Sequence, residues 1–340
     1  MKRIRLYIVA LVIGIVIAVA INSYQPPYYI TMPGSAEELS PIIEVEGGYD
    51  EQGEFMLTTV AFMRANVFNL LWANFNKYHS ITPYEAYRQE GESHEEFLDR
   101  QLHMMQGAQS ASVFVAFTKA NKQVQIENTG VYVSHVFEGM PAEGKLNIGD
   151  KILAVDNQKV ISTDDLISYV KTLSVGKSVK LKVERDQDVV AEDIKIVQYP
   201  QNPEQIGVGI GLLQDFIVTS EPDVEIDTSR IGGPSAGLMF SLEIYNQLME
   251  EDITKGYKIA GTGTIDFDGV VGRIGGIDKK IVAANREGAV IFFAPNEEGK
   301  IGSNYQIALQ TAQDINSDMK IVPIDTFDDA IHYLNSLNEK

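Results

Sequence analysis

Two glycine-rich segments late in the chain, each followed by a helical pattern of apolar residues, constrain the fold most strongly. The first is Gly-Gly-Pro-Ser-Ala-Gly at 232–237, and the second is Gly-Gly-Ile-Asp-Lys-Lys at 275–280. The apolar spacing that follows each segment predicts helices over 235–250 and 275–287. Strand-like runs alternate with helical patterns around them, which indicates a layered α/β domain. We therefore expect a serine and a lysine near the starts of two helices.

Ser235 stands where a loop containing two glycines and a proline turns into a helix. The free N–H groups and the positive end of the dipole at such a position would stabilise an oxyanion. Gly233 permits unusual backbone angles, Ala236 follows the serine, and Pro234 has no N–H to donate. The alternative is that Ser235 only caps the helix, which is the commonest role of a serine at a helix start.

Lys280 is expected to border the buried face of its helix. At about 100° of rotation per residue, Ile277, Ile281 and Ala284 fall on one side, Lys280 borders them, and Lys279 points into water. Contact with apolar surface lowers the pKa of a lysine, and a neutral amine can accept the proton of a serine. The alternative is that Lys280 extends to solvent or pairs with a carboxylate.

Composition excludes several other kinds of site. The chain has 47 acidic and 28 basic residues and a formal net charge of −19, which argues against nucleic-acid binding. The absence of cysteine excludes disulfides, thiol nucleophiles and cysteine–metal sites. The histidines show no HExxH spacing and no GxxxxGK[ST] motif occurs, so we expect no metal, no cofactor and no nucleotide partner.

The amino terminus resembles a membrane anchor. Lys2, Arg3 and Arg5 precede an apolar run from Leu6 to Ile21, just long enough for a bilayer core of about 30 Å. The positive residues should stay inside, which places the rest of the chain outside the cytoplasm on a single-pass membrane protein. The alternative is a cleaved signal peptide, since 18–20 (Ala-Val-Ala) fits a cleavage site.

The middle of the chain resembles a PDZ domain. The residues that carry this resemblance are Pro-Ala-Glu-Gly-Lys-Leu at 141–146 and Ile-Gly-Asp-Lys-Ile-Leu-Ala-Val-Asp at 148–156. The resemblance implies a groove in which a peptide adds as an extra strand. The groove edge is then assigned to Gly130, Val131, Tyr132 and Val133. The alternative is a PDZ fold that serves only as a spacer or lid.

The two glycine-rich segments together resemble the proteolytic domain of Lon-type Ser–Lys peptidases. The matching residues are Gly-Pro-Ser-Ala-Gly at 233–237, Thr-Gly-Thr-Ile at 262–265, and Ile-Gly-Gly-Ile at 274–277 followed by Lys280. The resemblance implies that Ser235 is the nucleophile, Lys280 the general base and Thr262 the hydroxyl that orients the lysine, supported by Gly233 and Ala236. An ordinary strand threonine is the alternative for Thr262. The chain departs from the family at Gly232, where the family usually has an acid three residues before the serine.

An earlier helical pattern, 95–119, contains Met-Met-Gln-Gly-Ala-Gln-Ser-Ala at 104–111, which is similar to a helix of Lon catalytic domains. The peptidase domain would then be split by an inserted PDZ domain, as domains with adjacent ends allow. The predicted α+β organisation is an anchor (1–24), an extended spacer (25–40), a first peptidase segment (41–118), a PDZ domain with one or two helices (119–200) and a catalytic segment (201–340).

Anchor, PDZ and peptidase domain together resemble the YlbL/SepM-like peptidases of Gram-positive bacteria. The resemblance implies an ATP-independent, membrane-anchored serine endopeptidase with a peptide or protein substrate. Secreted signalling peptides are one candidate substrate class. The alternative function is a PDZ-based extracellular scaffold or regulator whose peptidase domain is inactive or incidental.

Overall fold

The computed structural model describes residues 4, 7–9, 11–15, 24–88, 92–200, 202–228 and 231–340, without the side chain of residue 203. Most of the predicted anchor, including the candidate cleavage site at 18–20, lies outside these ranges. Within them, none of the helices combines the length and the apolarity needed to cross a bilayer.

The described ranges contain both helices and strands. The helices are α1 (Val67–Ala73), α2 (His94–Lys119), α3 (Thr163–Lys171), α4 (Gly237–Leu248), α5 (Ile277–Arg286), α6 (Asn304–Asp314) and α7 (Phe327–Asn335). The strands are β1 (Tyr28–Glu38), β2 (Ile43–Val45), β3 (Glu54–Arg64), β4 (Ser80–Pro83), β5 (Gln123–Val136), β6 (Lys151–Val155), β7 (Gln158–Lys159), β8 (Ser178–Arg185), β9 (Asp188–Lys195), β10 (Val197–Tyr199), β11 (Asn202–Gly207), β12 (Ile210–Glu221), β13 (Val224–Ile226), β14 (Lys258–Gly261), β15 (Thr264–Ile265), β16 (Val271–Gly272), β17 (Ile291–Pro295) and β18 (Lys320–Ile324).

A six-stranded mixed sheet forms the centre of the first layered unit, in the order β18-β17-β14-β3-β1-β4. Strands β3, β14, β17 and β18 run parallel to one another, and β1 pairs antiparallel with both β3 and β4. Strand β3 precedes the PDZ-like segment and β14 follows it. Segments far apart in sequence therefore build one sheet.

A second, antiparallel sheet has the order β12-β5-β6-β8-β9 and carries α3. Its two longest strands, β5 and β12, run side by side from the Gln123↔Glu221 pair to the Val136↔Ile210 pair. The chain thus enters and leaves this unit through adjacent residues, the geometry that allows one domain to be inserted into another.

Apolar side chains divide into separate cores. One cluster joins Phe55 and Phe117, before the insertion, to Leu238, Phe293 and Phe327 after it. A second lies between the mixed sheet and helices α5 and α6, and a third fills the PDZ-like unit. The first cluster holds α2 against α4, the helix that follows Ser235.

The prediction of a spacer over 25–40 is wrong. Residues 28–38 form β1, which lies between β3 and β4, and Tyr29 and Ile30 are buried. The prolines suggested a stiff linker, but Pro33 lies beside a register shift, where a strand tolerates a residue without an N–H donor. After β1, strand β3 continues to Arg64, and the helix that follows it, α1, is short.

Candidate active site

The serine loop is held by unusual backbone geometry and by helix α2. Gly233 has φ +82°, a region that disfavours residues with a Cβ, and its N–H donates to Gln101 O at 2.9 Å. Helix α4 begins at Gly237, two residues after Ser235, and its N-cap Ala236 makes no side-chain capping bond. The capping alternative for Ser235 is therefore wrong in this structure.

The backbone of Ser235 is fixed against the segment that follows β14. Its carbonyl accepts hydrogen bonds from Gly263 N at 3.0 Å and Thr262 Oγ1 at 2.8 Å. Gly237 lies so close to Ile265 that a Cβ would stand 2.9 Å from Ile265 Cγ2. This contact explains why residue 237 is glycine, because a side chain at this position would push the serine loop away from Ile265.

Lys280 reaches Ser235 from helix α5. Its Nζ lies 2.9 Å from Ser235 Oγ, 2.9 Å from Thr262 Oγ1 and 2.7 Å from Thr58 O. The structure thus brings together Ser235, Lys280 and Thr262, which the sequence had singled out from separate segments. Gly276, the N-cap of α5, has φ +68° and directs the helix start towards β3.

The three partners of Lys280 match the hydrogen-bonding capacity of a neutral amine, which has two N–H donors and one lone pair. Because the Thr262 hydroxyl donates to Ser235 O, its oxygen is free to accept from Lys280. The second amine proton goes to Thr58 O, a backbone carbonyl that accepts only. The lone pair is then left for the proton of Ser235 Oγ, as a general base requires.

Burial explains why the Lys280 amine is neutral. Lys280 is 3% exposed, and burial lowers its pKa from 10.5 to about 7. In the part of the chain described here, no carboxylate forms an ion pair with this amine. The alternative in which Lys280 extends to solvent or pairs with an acid is therefore wrong.

Thr58 is the functional residue that sequence reasoning missed. It contributes through its main-chain oxygen, so its side-chain type gives no signal. Its hydroxyl donates to Gly261 O at 3.0 Å and ties β3 to β14 directly beneath the lysine. The pairing of these two parallel strands, which no local pattern reveals, places the acceptor.

The prediction that Lys279 lies in water is wrong. Lys279 is 5% exposed, and its Nζ lies 3.1 Å from Asp278 Oδ2. The helical-wheel argument assumed one buried face, but α5 packs against β1 and β3 on one side and α6 on another. His79 also lies nearby: its pKa is lowered by burial and by the Lys279 charge.

Backbone donors for an oxyanion are available beside the nucleophile. The N–H of Gly233 is occupied by Gln101 O, and Pro234 has none. The N–H groups of Ser235 and Ala236 have no acceptor among the described residues. Both N–H groups lie just before the first residue of α4, where the helix dipole also favours negative charge.

A groove of about 310 Å³ begins beside Pro234. Its walls are the exposed face of α2, residues 213–216 of β12 and residues 265–267. A second cavity of about 250 Å³ continues it between α2 and the PDZ-like sheet, and both are lined by His103, Gln106, Tyr132 and Leu213. An extended peptide could lie along this cleft with one end at the serine loop.

The predicted PDZ groove edge at Gly130, Val131, Tyr132 and Val133 is wrong. Val131 pairs with Ile152 of β6 on one side and with Gln214 of β12 on the other, so neither edge of this strand is free for an added strand. Val131 and Val133 lie in the PDZ core, while the Tyr132 ring lies 5.5 Å from the His103 ring on α2. This strand is internal to its sheet, and Tyr132 faces α2.

The described residues contain no group of three or more His, Asp or Glu side chains arranged to hold a metal ion. The groups that contact Ser235 are the Lys280 amine, the Thr262 hydroxyl and the backbone N–H of Gly263.

Family comparisons agree with this geometry. Residues 227–336 match the C-terminal proteolytic domain of Lon protease (S16), and residues 114–196 match the PDZ domain. The predicted resemblance to Lon-type peptidases with a PDZ domain is confirmed. The Lon-type match contains Ser235, Thr262 and Lys280, and the chain carries both a region similar to a PDZ domain and a region similar to the Lon proteolytic domain.

Several curated proteases are similar to part of this chain. The Lon protease of Metamycoplasma arthritidis is 30% identical over 108 residues, covering 32% of this chain and 12% of the relative. That of Malacoplasma penetrans is 32% identical over 175 residues, covering 50% of this chain and 21% of the relative. A probable periplasmic serine endoprotease DegP-like of Pseudomonas putida is 34% identical over 83 residues, covering 24% and 17%. The chain thus spans no more than about a fifth of these relatives' length.

Proposed function

We propose that this chain is a serine endopeptidase in which Ser235 is the nucleophile and Lys280 the general base. The observation that carries the proposal is the 2.9 Å contact between Lys280 Nζ and Ser235 Oγ, made by an amine that is 3% exposed. A hydroxyl is a weak nucleophile unless an adjacent base takes its proton, and this arrangement supplies such a base.

In the proposed reaction, Lys280 Nζ takes the Ser235 proton as Oγ attacks the scissile carbonyl carbon. The N–H groups of Ser235 and Ala236 hold the oxyanion that forms. The Lys280 ammonium then donates its proton to the leaving nitrogen, the peptide bond breaks and an acyl-enzyme remains. Water, deprotonated by the same amine, releases the second product and restores Ser235.

Thr262 and Thr58 have a positioning role in this scheme. Lys280 alternates between the neutral and charged forms, and the Thr58 carbonyl and the Thr262 hydroxyl accept hydrogen bonds from both. The Lys280 amine therefore stays oriented towards Ser235 Oγ throughout the reaction cycle. Holding the reacting atoms at about 3 Å accounts for much of the rate gain of such a pair.

We further propose that the substrate is a peptide or a flexible protein segment and that cleavage needs no ATP. The cleft between α2 and the PDZ-like sheet supports a substrate in extended form, and the lack of a P-loop motif supports ATP independence. The PDZ domain would assist substrate binding or limit entry to the cleft, because β12 and Tyr132 form part of its wall.

We also propose that the chain is anchored in the cell membrane with its bulk outside the cytoplasm. The support lies in the sequence: three basic residues followed by the apolar run from Leu6 to Ile21. A cleaved signal peptide is the competing proposal, and sequencing the amino terminus of protein isolated from cells distinguishes the two.

Cleavage of a labelled unfolded protein, such as fluorescent casein, by the purified full chain without ATP tests the peptidase proposal. Ser235→Ala and Lys280→Met should each lower the rate by about a thousandfold or more, because the two residues act as a unit. Lys279→Met, a matched control on the same helix, should retain activity within a few-fold. Circular dichroism melting of each variant separates loss of chemistry from loss of fold.

Equal losses in Lys279→Met and Lys280→Met, with both proteins folded, would contradict the assignment of the base. A wild-type protein that is folded but cleaves nothing and binds peptides would instead favour a scaffold with an inactive peptidase domain.

A further inference from the structure

Helix α1 carries an apolar stripe that faces solvent. Phe68, Leu71, Trp72 and Phe75 are 51%, 60%, 57% and 86% exposed, and their spacing places them on one side of the helix and its extension. The same helix packs its other side, through Leu70 and Ala73, against Ile30 and Ile81. Contiguous exposed apolar surface of this kind marks an interaction site.

The exposed apolar surface continues towards the amino-terminal side of the unit. Met63, at the end of β3, is 37% exposed and its Sδ accepts a hydrogen bond from Asn69 of α1. Tyr28, which lies on the same face of the sheet, is also 37% exposed. Ala65 N donates to Tyr28 O at 2.9 Å, so α1 starts beside the residue where the chain enters the first sheet. The stripe and the chain entry point therefore lie on the same side of the unit.

That entry point follows the apolar run directly. Six residues separate Ile21 from Tyr28, and an extended chain covers at most about 3.5 Å per residue, which limits the gap to roughly 25 Å. If Leu6 to Ile21 spans a bilayer, as proposed above, the stripe is kept next to the membrane surface. This inference thus rests on the proposed anchor.

We propose that the α1 stripe, defined as Phe68, Leu71, Trp72 and Phe75, inserts into the boundary between lipid headgroups and acyl chains and docks the peptidase unit on the membrane. Aromatic side chains prefer this boundary, and a short helix with one apolar face lies in its plane. A second copy of the chain is a poorer match, because a seven-residue helix offers far less than the ~800 Å² per partner of a stable protein interface.

Trp72 makes the proposal directly measurable, because it is the only tryptophan in the chain. The full chain is reconstituted into phosphatidylcholine vesicles with and without brominated acyl chains, and membrane association is checked by flotation. For an inserted stripe we expect the brominated lipid to lower Trp72 emission by roughly twofold and the vesicles to protect it from iodide.

Variants that keep Trp72 supply the controls. The triple variant Phe68→Ser, Leu71→Ser, Phe75→Ser should still float with vesicles but lose most of the bromine quenching and regain iodide quenching. Ile301→Ser, at a residue that is 99% exposed elsewhere on the surface, should behave as wild type.

Three results would overturn the docking proposal. If the protein floats with the vesicles but iodide quenches Trp72 and brominated lipid does not, the anchor proposal stands and the docking proposal is wrong. Protection from iodide without bromine quenching, rising with protein density, points to a second copy instead. If the wild-type protein does not float with the vesicles, the proposed anchor is wrong, and the docking proposal that rests on it is wrong as well. Casein cleavage by the same preparation is scored separately, so none of these results is confused with failure of the peptidase proposal.

Discussion

At the scale of single residues, the site depends on how one lysine is kept uncharged. Removing an amine from water disfavours its ammonium form, and the Lys280 pKa of about 7 results from burial. The residue types could be predicted from the sequence, since Ser235, Lys280 and Thr262 each stand in a distinctive segment. The Thr58 carbonyl and the burial of Lys279 could not, because both depend on which strands and helices surround α5.

Thr262 provides a test at this scale. Thr262→Val removes the hydroxyl that accepts from Lys280 and donates to Ser235 O, so one amine proton loses its partner. We expect the rate of cleavage to fall by about 10- to 100-fold. The acidic limb of the pH–rate profile should shift to lower pH, because loss of an acceptor disfavours the ammonium form.

Thr262→Ser is the matched control, since it keeps the hydroxyl and should retain most of the activity. An unchanged pH profile and rate in Thr262→Val would remove Thr262 from the positioning role.

At the scale of elements, helices α4 and α5 bring the two reacting groups together from opposite sides of β14. Their approximate positions followed from apolar periodicity: α5 was expected over 275–287 and is Ile277–Arg286. The first residues of α4 and α5 depend on backbone features that the apolar periodicity of the sequence does not predict. The serine lies before α4 rather than in its first turn, and Gly276 adopts a left-handed conformation beside Val60, where a Cβ would stand 2.8 Å from Val60 Cγ2.

The body of α4 carries an unusual buried acid, which gives a second test. Glu243 is fully buried, and burial, followed by repulsion from Glu38, raises its pKa above 4.5. Glu51 next to it has a pKa raised by burial and then by Glu243. At pH above 4.5 the unfolded chain releases protons that these native groups still hold, so stability falls as pH rises towards their native pKa values.

Glu243→Gln should remove part of this pH dependence. The Gln side chain can still accept the hydrogen bond from Gln247 Nε2 that Glu243 Oε1 now accepts at 2.6 Å. Relative to wild type, we expect the free energy of unfolding to rise by about 1–2 kcal/mol near pH 8 and to change little near pH 4.5. Urea denaturation at both pH values measures this. If Glu243→Gln raised the free energy of unfolding only at acidic pH, the assigned upward shift of the Glu243 pKa would be wrong.

At the scale of the whole molecule, strands from before and after the PDZ-like segment build one mixed sheet. The approximate positions of helices α2, α4 and α5 and the presence of a PDZ-like segment could be predicted, because local patterns encode them. Strand neighbours could not: β1 is an internal strand of the mixed sheet rather than a spacer, and β5 is central rather than at an edge. Both errors concern pairing between distant segments, and the pairing of β5 with β12 builds one wall of the cleft along α2.

The central claim is that a neutral Lys280 removes the proton of Ser235. Its most direct measurement is the rate at which a serine-directed covalent probe labels Ser235 in the full chain between about pH 5 and pH 9. Because the Lys280 pKa lies at about 7, the rate should rise about tenfold per unit at low pH and level off above neutrality. Lys279→Met should reproduce this curve, and Lys280→Met should abolish it. A rate that is independent of pH, or equal labelling in Lys280→Met, would contradict the account.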